Sequence, residues 1–222
     1  VYGTMAHSFI QAHGDETVAF EHFARSQRGN VVLLVDTYDT EKGAEKVVEL
    51  APQLRKDGIE VKAVRLDSGD LAKHARRVRK ILDDGGLEQV GIFSSGGLDE
   101  YALSDLLNAG APIDGFGIGT SMDTSADAPY LDCAYKLTEY ARIARRKRSE
   151  GKATWPGRKQ VYRRYDKQGR MQEDLLTLDD DVQAGESLLQ PHMEKGKRLT
   201  PPEPLVDIRQ RATVQREQLP EA

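Results

Sequence analysis

The sequence predicts an α/β protein made of repeated strand–helix units. Short apolar runs alternate with amphipathic stretches at a spacing of about 25 to 30 residues. Each run also ends in a cluster of glycine, hydroxyl and charged residues, just before a helical pattern begins. Together these place the polar clusters on one rim of a parallel architecture, where β/α proteins hold their ligands.

The first element is a strand-to-helix junction at Gly3-Thr4-Met5-Ala6-His7-Ser8-Phe9. Val31-Val32-Leu33-Leu34-Val35 is continuously apolar, as expected of a strand covered on both faces, and leads into Asp36-Thr37-Tyr38-Asp39-Thr40. Ala44, Val47, Val48, Ala51 and Leu54 recur at helical spacing; Pro52 should kink or shorten that helix, and Asp57-Gly58 should end it. Val61 to Val64 begins a second strand, ending in Arg65-Leu66-Asp67-Ser68-Gly69-Asp70. Leu71, Ala75, Val78, Ile81 and Leu82 form the next apolar stripe, with Lys73, Arg76, Arg77, Arg79 and Lys80 on the outer face. Val90-Gly91-Ile92-Phe93 is a third strand, closed by Ser94-Ser95-Gly96-Gly97. Ala102, Leu103, Leu106 and Leu107 mark a third helix, and Phe116-Gly117-Ile118 a fourth strand running into Gly119-Thr120.

Four units do not close an eight-stranded barrel, so either further strands precede Val1 or the sheet is open. Leu131 to Tyr140 reads as one more strand, with a domain boundary near Tyr140 that divides the chain into 1–140 and 141–222. The basic run Arg142 to Arg148 is expected to be a solvated hairpin loop, and Trp155 a packing residue at the domain junction. Gln160 to Tyr165 alternates as in a small antiparallel element. Asp179-Asp180-Asp181 and Thr200-Pro201-Pro202 read as loops around one last helix.

Composition narrows the classes. With 38% hydrophobic and 31% charged residues over 222 positions, the chain can build a core and is not wholesale disordered. A net charge of −4 and a pI near 5.8 give no pull toward nucleic acid or an anionic membrane. Cys133, alone, allows neither an internal disulfide nor a cysteine zinc site. No apolar run is long enough to span a bilayer. A cytoplasmic protein is expected.

His7 at a strand-to-helix junction can accept a phosphoryl group, although a capping or half-buried histidine is the commoner fate of such a residue. Arg65 and Asp67 point to the same side of their strand. A guanidinium there can grip a carboxylate or phosphate, and a carboxylate beside it suits ribose hydroxyls or Mg²⁺. The bland alternative is an internal ion pair with a helix cap by Ser68 or Asp70. Ser95, Gly96, Gly119 and Thr120 offer glycine and hydroxyl groups just past two strands, as a phosphate site requires. His13, His22, His74 and His192 show no metal-ligand spacing.

Taken together, Gly3 to Phe9, Leu34-Val35-Asp36-Thr37-Tyr38-Asp39-Thr40, Arg65 to Asp70, Gly117-Ile118-Gly119-Thr120 and Lys152-Ala153-Thr154-Trp155-Pro156-Gly157-Arg158-Lys159-Gln160-Val161 closely resemble nicotinate phosphoribosyltransferase. The resemblance implies an irregular β/α barrel of the type II phosphoribosyltransferase kind, incomplete here, followed by a small C-terminal element of a second domain. It implies nicotinate, phosphoribosyl pyrophosphate and ATP as substrates, Mg²⁺ as the metal, and a homodimer in the full-length enzyme. His7 would be the phosphorylated histidine. Thr4 and Arg65 would bind nicotinate, and Thr120, with Asp67, Ser95, Gly96 and Gly119, the phosphoribosyl substrate. The family's long N-terminal part, with an aromatic that stacks on the pyridine ring, has no counterpart here. The chain is therefore read as the C-terminal portion, and residues 1–222 alone are expected to be inactive. Two alternatives stand beside this reading: a nicotinamide- or quinolinate-type relative, and a binding-only chain without turnover.

Overall fold

The computed structural model describes residues 4–127, 131 and 133–220. Gly3 of the histidine motif and Asp132 of the expected fifth strand lie outside them. The chain divides into two compact units, Val1–Pro156 and Gly157–Ala222, so the first takes in residues on both sides of Tyr140.

In the first unit, helices α1 (His7–His13) and α2 (Glu16–Ser26) precede three βα units. These are β1 (Val31–Leu34) with α3 (Thr40–Lys56), β2 (Val61–Leu66) with α4 (Leu71–Asp84), and β3 (Gly91–Ser94) with α5 (Glu100–Asn108). Then come β4 (Gly115–Phe116) and the short α6 (Thr120–Asp123). The strands pair in sequence order β1-β2-β3-β4, all parallel, with Leu34 opposite Arg65 and Arg65 opposite Phe93. Among the described residues this sheet is open, with β1 and β4 at its edges.

The two sheet faces differ. Val31, Leu33, Val64, Leu66 and Ile92 are at most 6% exposed and lie in the main core with Ala44, Val47, Leu54, Val78 and Leu82 of α3 and α4. Val32, Ala63, Arg65 and Phe93 alternate with them and are only half-buried. Gly43 lets α3 approach the end of β1: a Cβ there would stand 2.3 Å from the Val35 carbonyl oxygen.

An aspartate caps each of the helices α2 to α5. Asp15, Asp39, Asp70 and Asp99 accept from the backbone N–H of Val18, Lys42, Lys73 and Ala102, at 2.8 to 3.0 Å. Three of these caps follow strands β1 to β3, so the rim geometry is pinned locally. Asp70 takes the capping role, and Ser68 is free for another partner.

Some expectations need correction. Helix α3 is not shortened at Pro52 and runs on to Lys56. The proline lies on the exposed side, where the lost hydrogen bond is met by solvent, while buried Ala51 and Leu54 anchor the last turn. Among the described residues of the strand expected over Leu131 to Tyr140, only Glu139–Tyr140 is in a strand, β5, paired antiparallel with β6 (Ile143–Ala144). Leu131 and Tyr135 are almost fully exposed, so no apolar face drives a longer ladder. The basic run begins as a tight turn, with Ala141 and Arg142 at φ 53° and 62°. Arg142, Arg146 and Arg148 are exposed, as expected of a solvated hairpin loop, but Lys147 is only 4% exposed. Trp155, expected as a packing residue, is 75% exposed.

The second unit holds β7 (Lys159–Tyr165), β8 (Met171–Leu178) and β9 (Glu186–Ser187) as an antiparallel sheet in the order β8-β7-β9. Arg163 grips Asp174 across β7 and β8 with two bonds of 2.7 and 2.6 Å. A small hairpin, β10 (Met193–Glu194) with β11 (Lys197–Arg198), precedes α7 (Leu205–Glu217), which buries no residue. Among the described residues no helix is long and apolar enough to cross a membrane.

Candidate active site

A cavity of about 660 Å³ opens along the half-buried face of the sheet, from Asn30 and Val32 at the start of β1, past Ala63 and Arg65 of β2, to the turns after β3 and β4. Thr4, Arg65, Ser95, Gly96, Gly119 and Thr120 all line it, together with Val32, Ala63, Phe93 and Gly117. The half-buried sheet face thus forms its apolar wall, and the βα turns its polar one.

Arg65 organises the polar wall. Its Nε donates to Ser95 Oγ at 2.9 Å, Nη2 to Asp67 Oδ1 at 2.8 Å, and Nη1 to Thr4 Oγ1. Ser95 Oγ in turn donates to Asp67 Oδ1 at 2.7 Å. Arg65 and Asp67 meet because an i, i+2 pair shares one side of a strand. Ser95 arrives from β3 in register with them, its N–H bonded to the Leu66 carbonyl at 2.9 Å.

His7 and Asp67 share one edge of this wall with Asp36, a residue the motif reading quoted but gave no role. His7 Nδ1 is 3.0 Å from Thr37 Oγ1. Its Nε2 lies 3.9 Å from Asp36 Oδ1 and 3.7 Å from Asp67 Oδ2. Asp36 is 1% exposed, and its Oδ2 accepts from the Asp67 N–H at 3.1 Å and from Ser68 Oγ. Asp36 Oδ1 and His7 Nε2 are buried without hydrogen-bond partners. With Asp67 they offer ligand atoms within 4.8 Å of one another. One orphaned carboxylate oxygen and one orphaned imidazole nitrogen beside an oxygen of a second carboxylate, Asp67, are a donor set that fits a divalent cation. Three of the other four histidines are engaged elsewhere: His13 Nε2 is 3.1 Å from His22 Nδ1, and His74 sits between Glu41 and Glu150.

The segment after the β5–β6 hairpin completes the rim, a contribution the sequence reading missed. Arg148 N–H donates to the Thr37 carbonyl at 2.9 Å, and Ser149 Oγ to that of Asp36. Lys152 Nζ reaches the Asp67 carbonyl at 2.6 Å and Oδ2 at 3.0 Å. Neither composition nor periodicity signals such pairings across the chain.

Burial alone would raise the Asp67 carboxyl, but the nearby His7 imidazole and hydrogen bonds from Arg65, Ser95 and Lys152 outweigh it and hold the group well below the usual carboxylate range. Burial pushes the Lys147 ammonium below its usual range, while Asp36 and Asp67 draw it partly back. Because the folded Asp67 stays ionised where the unfolded one takes up a proton, its stabilisation is present at neutral pH and declines below about pH 4. Denaturant titrations of the natural protein and Asp67→Asn from pH 7 to 3 should therefore show a stability difference that narrows as pH falls. A constant difference would contradict the assignment.

No family profile matches the chain. It is 48% identical over 206 residues to a nicotinate phosphoribosyltransferase of Mycobacterium tuberculosis, covering 93% of this chain and 44% of that protein. A nicotinate phosphoribosyltransferase of Bacillus subtilis is 36% identical over 189 residues, 82% of this chain and 38% of the relative. The chain thus spans less than half the length of these curated relatives. Among solved structures, nicotinate phosphoribosyltransferase from Vibrio cholerae shares the fold, with a TM-score of 0.59 at 21% identity over 69% of this chain and 40% of that one. Over the stretch that it spans, the chain belongs to the nicotinate phosphoribosyltransferase family.

Proposed function

We propose that this chain carries the substrate rim of an enzyme that joins nicotinate to phosphoribosyl pyrophosphate, releasing pyrophosphate and forming nicotinate mononucleotide. The observation behind this is the state of the Arg65 guanidinium. Three of its five N–H groups go to Thr4, Ser95 and Asp67. One donor remains on each of Nη1 and Nη2, a fork that matches a planar carboxylate. Nicotinamide has no carboxylate charge to meet it, so the acid is the preferred ring substrate.

The phosphoribosyl group would lie along Ser95, Gly96, Gly119 and Thr120. Gly119 has nothing within 4 Å on its Cβ side, so an anion can approach its backbone. As pyrophosphate leaves the anomeric carbon, positive charge builds on the ribose, and the Asp67 carboxylate stabilises it. His7, fixed through Nδ1 by Thr37, takes the phosphoryl group of ATP; the added negative charge couples ATP cleavage to substrate affinity. Asp36 and Asp67 would hold Mg²⁺, which when bound offsets the charge of pyrophosphate.

Sequential parallel order suits an arc of the type II phosphoribosyltransferase barrel, with Val32, Ala63 and Phe93 toward the barrel interior. Residues 141–222 would contribute to the smaller second domain of a cytoplasmic homodimer. The test is nicotinate mononucleotide formation by the natural full-length protein, with and without ATP. His7→Ala should abolish the ATP stimulation and leave slow ATP-independent transfer. Equal stimulation in the variant and the natural protein would rule out His7 as the phosphoryl acceptor.

A further inference from the structure

We propose that Lys152 is a second functional cation of this site, which positions Asp67 and binds the phosphate-bearing substrate directly at the Gly96 turn. The inference rests on the reading above, that the cavity takes a phosphorylated anion.

Lys152 Nζ donates to two oxygens of Asp67. An ammonium has three N–H groups, so one donor remains for a ligand. Its location follows from Gly96. A Cβ added to that glycine would stand 3.0 Å from Lys152 Nζ, and Gly96 itself lines the cavity. The ammonium therefore lies against the Gly96 turn, next to a residue of the cavity wall, and at 38% exposure it can still exchange water for substrate oxygens.

An exposed lysine–aspartate contact is commonly an incidental surface pair. Three observations argue otherwise here. Asp67 already has a strong partner in Arg65, so Lys152 is not needed to neutralise it. The backbone that carries Lys152 is tied to the rim at Thr37 and Asp36, and within itself by Lys152 N–H to the Ser149 carbonyl at 3.1 Å. Lys147 and Thr154 close the same segment with reciprocal bonds of 3.0 and 3.1 Å, and Glu150 lies 3.3 Å from His74. This anchoring fixes where a flexible side chain begins and lowers the entropy lost when its head group binds. Finally, Asp36 and Asp67 place two negative charges at the rim, where a pyrophosphate would otherwise be repelled. Arg65 and Lys152 balance them, and buried Lys147 tips the local charge positive.

The test titrates inorganic pyrophosphate with magnesium into the natural full-length protein, Lys152→Met and Lys152→Arg, by calorimetry. The methionine variant should bind at least about tenfold more weakly, and the arginine variant within about threefold of the natural protein. Equal affinity in the methionine variant, or no pyrophosphate binding by the natural protein, would overturn the inference. A variant-free measurement runs in parallel. Pyrophosphate should slow acetylation of Lys152 by acetic anhydride several-fold in peptide mapping, and unchanged labelling counts against a direct contact. Turnover of nicotinate is read separately. Its absence would sink the proposed reaction, while the pyrophosphate titration still decides Lys152.

Discussion

Replacing Arg65 with methionine should lower kcat/KM for nicotinate by roughly 100- to 1,000-fold, about 3 to 4 kcal/mol. Three partners lose their donor at once: Thr4, Ser95 and Asp67. The substrate carboxylate loses the fork as well. Lysine at this position should not restore activity, because a single ammonium cannot reach three protein oxygens and still present two parallel donors. The more telling readout is selectivity. With Arg65 removed, the preference for nicotinate over nicotinamide should collapse toward unity, since its charge-specific contact is gone. Steady-state kinetics with both ring substrates in the natural full-length protein and Arg65→Met decide this. A variant that stays selective for the acid would show that the carboxylate is read elsewhere.

Gly96→Ala should destabilise the fold by about 3 kcal/mol or more and remove turnover with it. The residue sits at φ 100°, where an L side chain is strained, and its new Cβ would stand 2.1 Å from the Asp67 carbonyl oxygen. That oxygen is backbone and cannot rotate aside. The β3 turn or the β2 end must then shift, and either movement separates Ser95 from Asp67. Gly119→Ala is the matched control: its φ is −124° and nothing lies within 4 Å of the added carbon. Its melting temperature should stay near that of the natural protein, with the loss confined to phosphoribosyl pyrophosphate affinity. Thermal melts of the two variants side by side check this. Equal melting would mean that the Gly96 turn is looser than its contacts indicate.

The parts legible in the sequence are those set by local chemistry. The β-branched run at Val31 to Val35 and the stripes at Ala44 to Leu54 and Leu71 to Leu82 encode burial through their period, so the βα units were readable. Arg65 and Asp67 were readable as partners because two residues apart on a strand means the same side. Asp36 was harder. Its role depends on acceptance from Ser68 and Asp67 of the next strand, a pairing fixed by sheet register rather than by nearby residues. Lys152 lay further still beyond reach, since its contact with Asp67 spans 85 positions with no periodic signal. The described residues from Tyr135 to Thr138, which form no strand, show the converse. Apolar content suggested a ladder, but Leu131 and Tyr135 find nothing to pack against, and propensity alone does not build a sheet.

The tie between the late segment and the rim also shapes how the site assembles in time. The parallel pairs β1–β2, β2–β3 and β3–β4 each close over one helix, so the sheet can grow unit by unit from neighbouring contacts. Ser149 to Asp36 and Lys152 to Asp67 close loops of 113 and 85 residues, whose entropy must be met before either bond contributes. Nor can they form during synthesis until the chain has emerged past Lys152, well after strands β1 to β4. Lys152 therefore reaches the site after these four strands, and the free energy that seats it is separable from that of the sheet. Hydrogen exchange should find the Arg148 and Lys152 amides opening at lower free energy than those of Val35 and Ser95, a local release that disarms the site while the sheet stays folded.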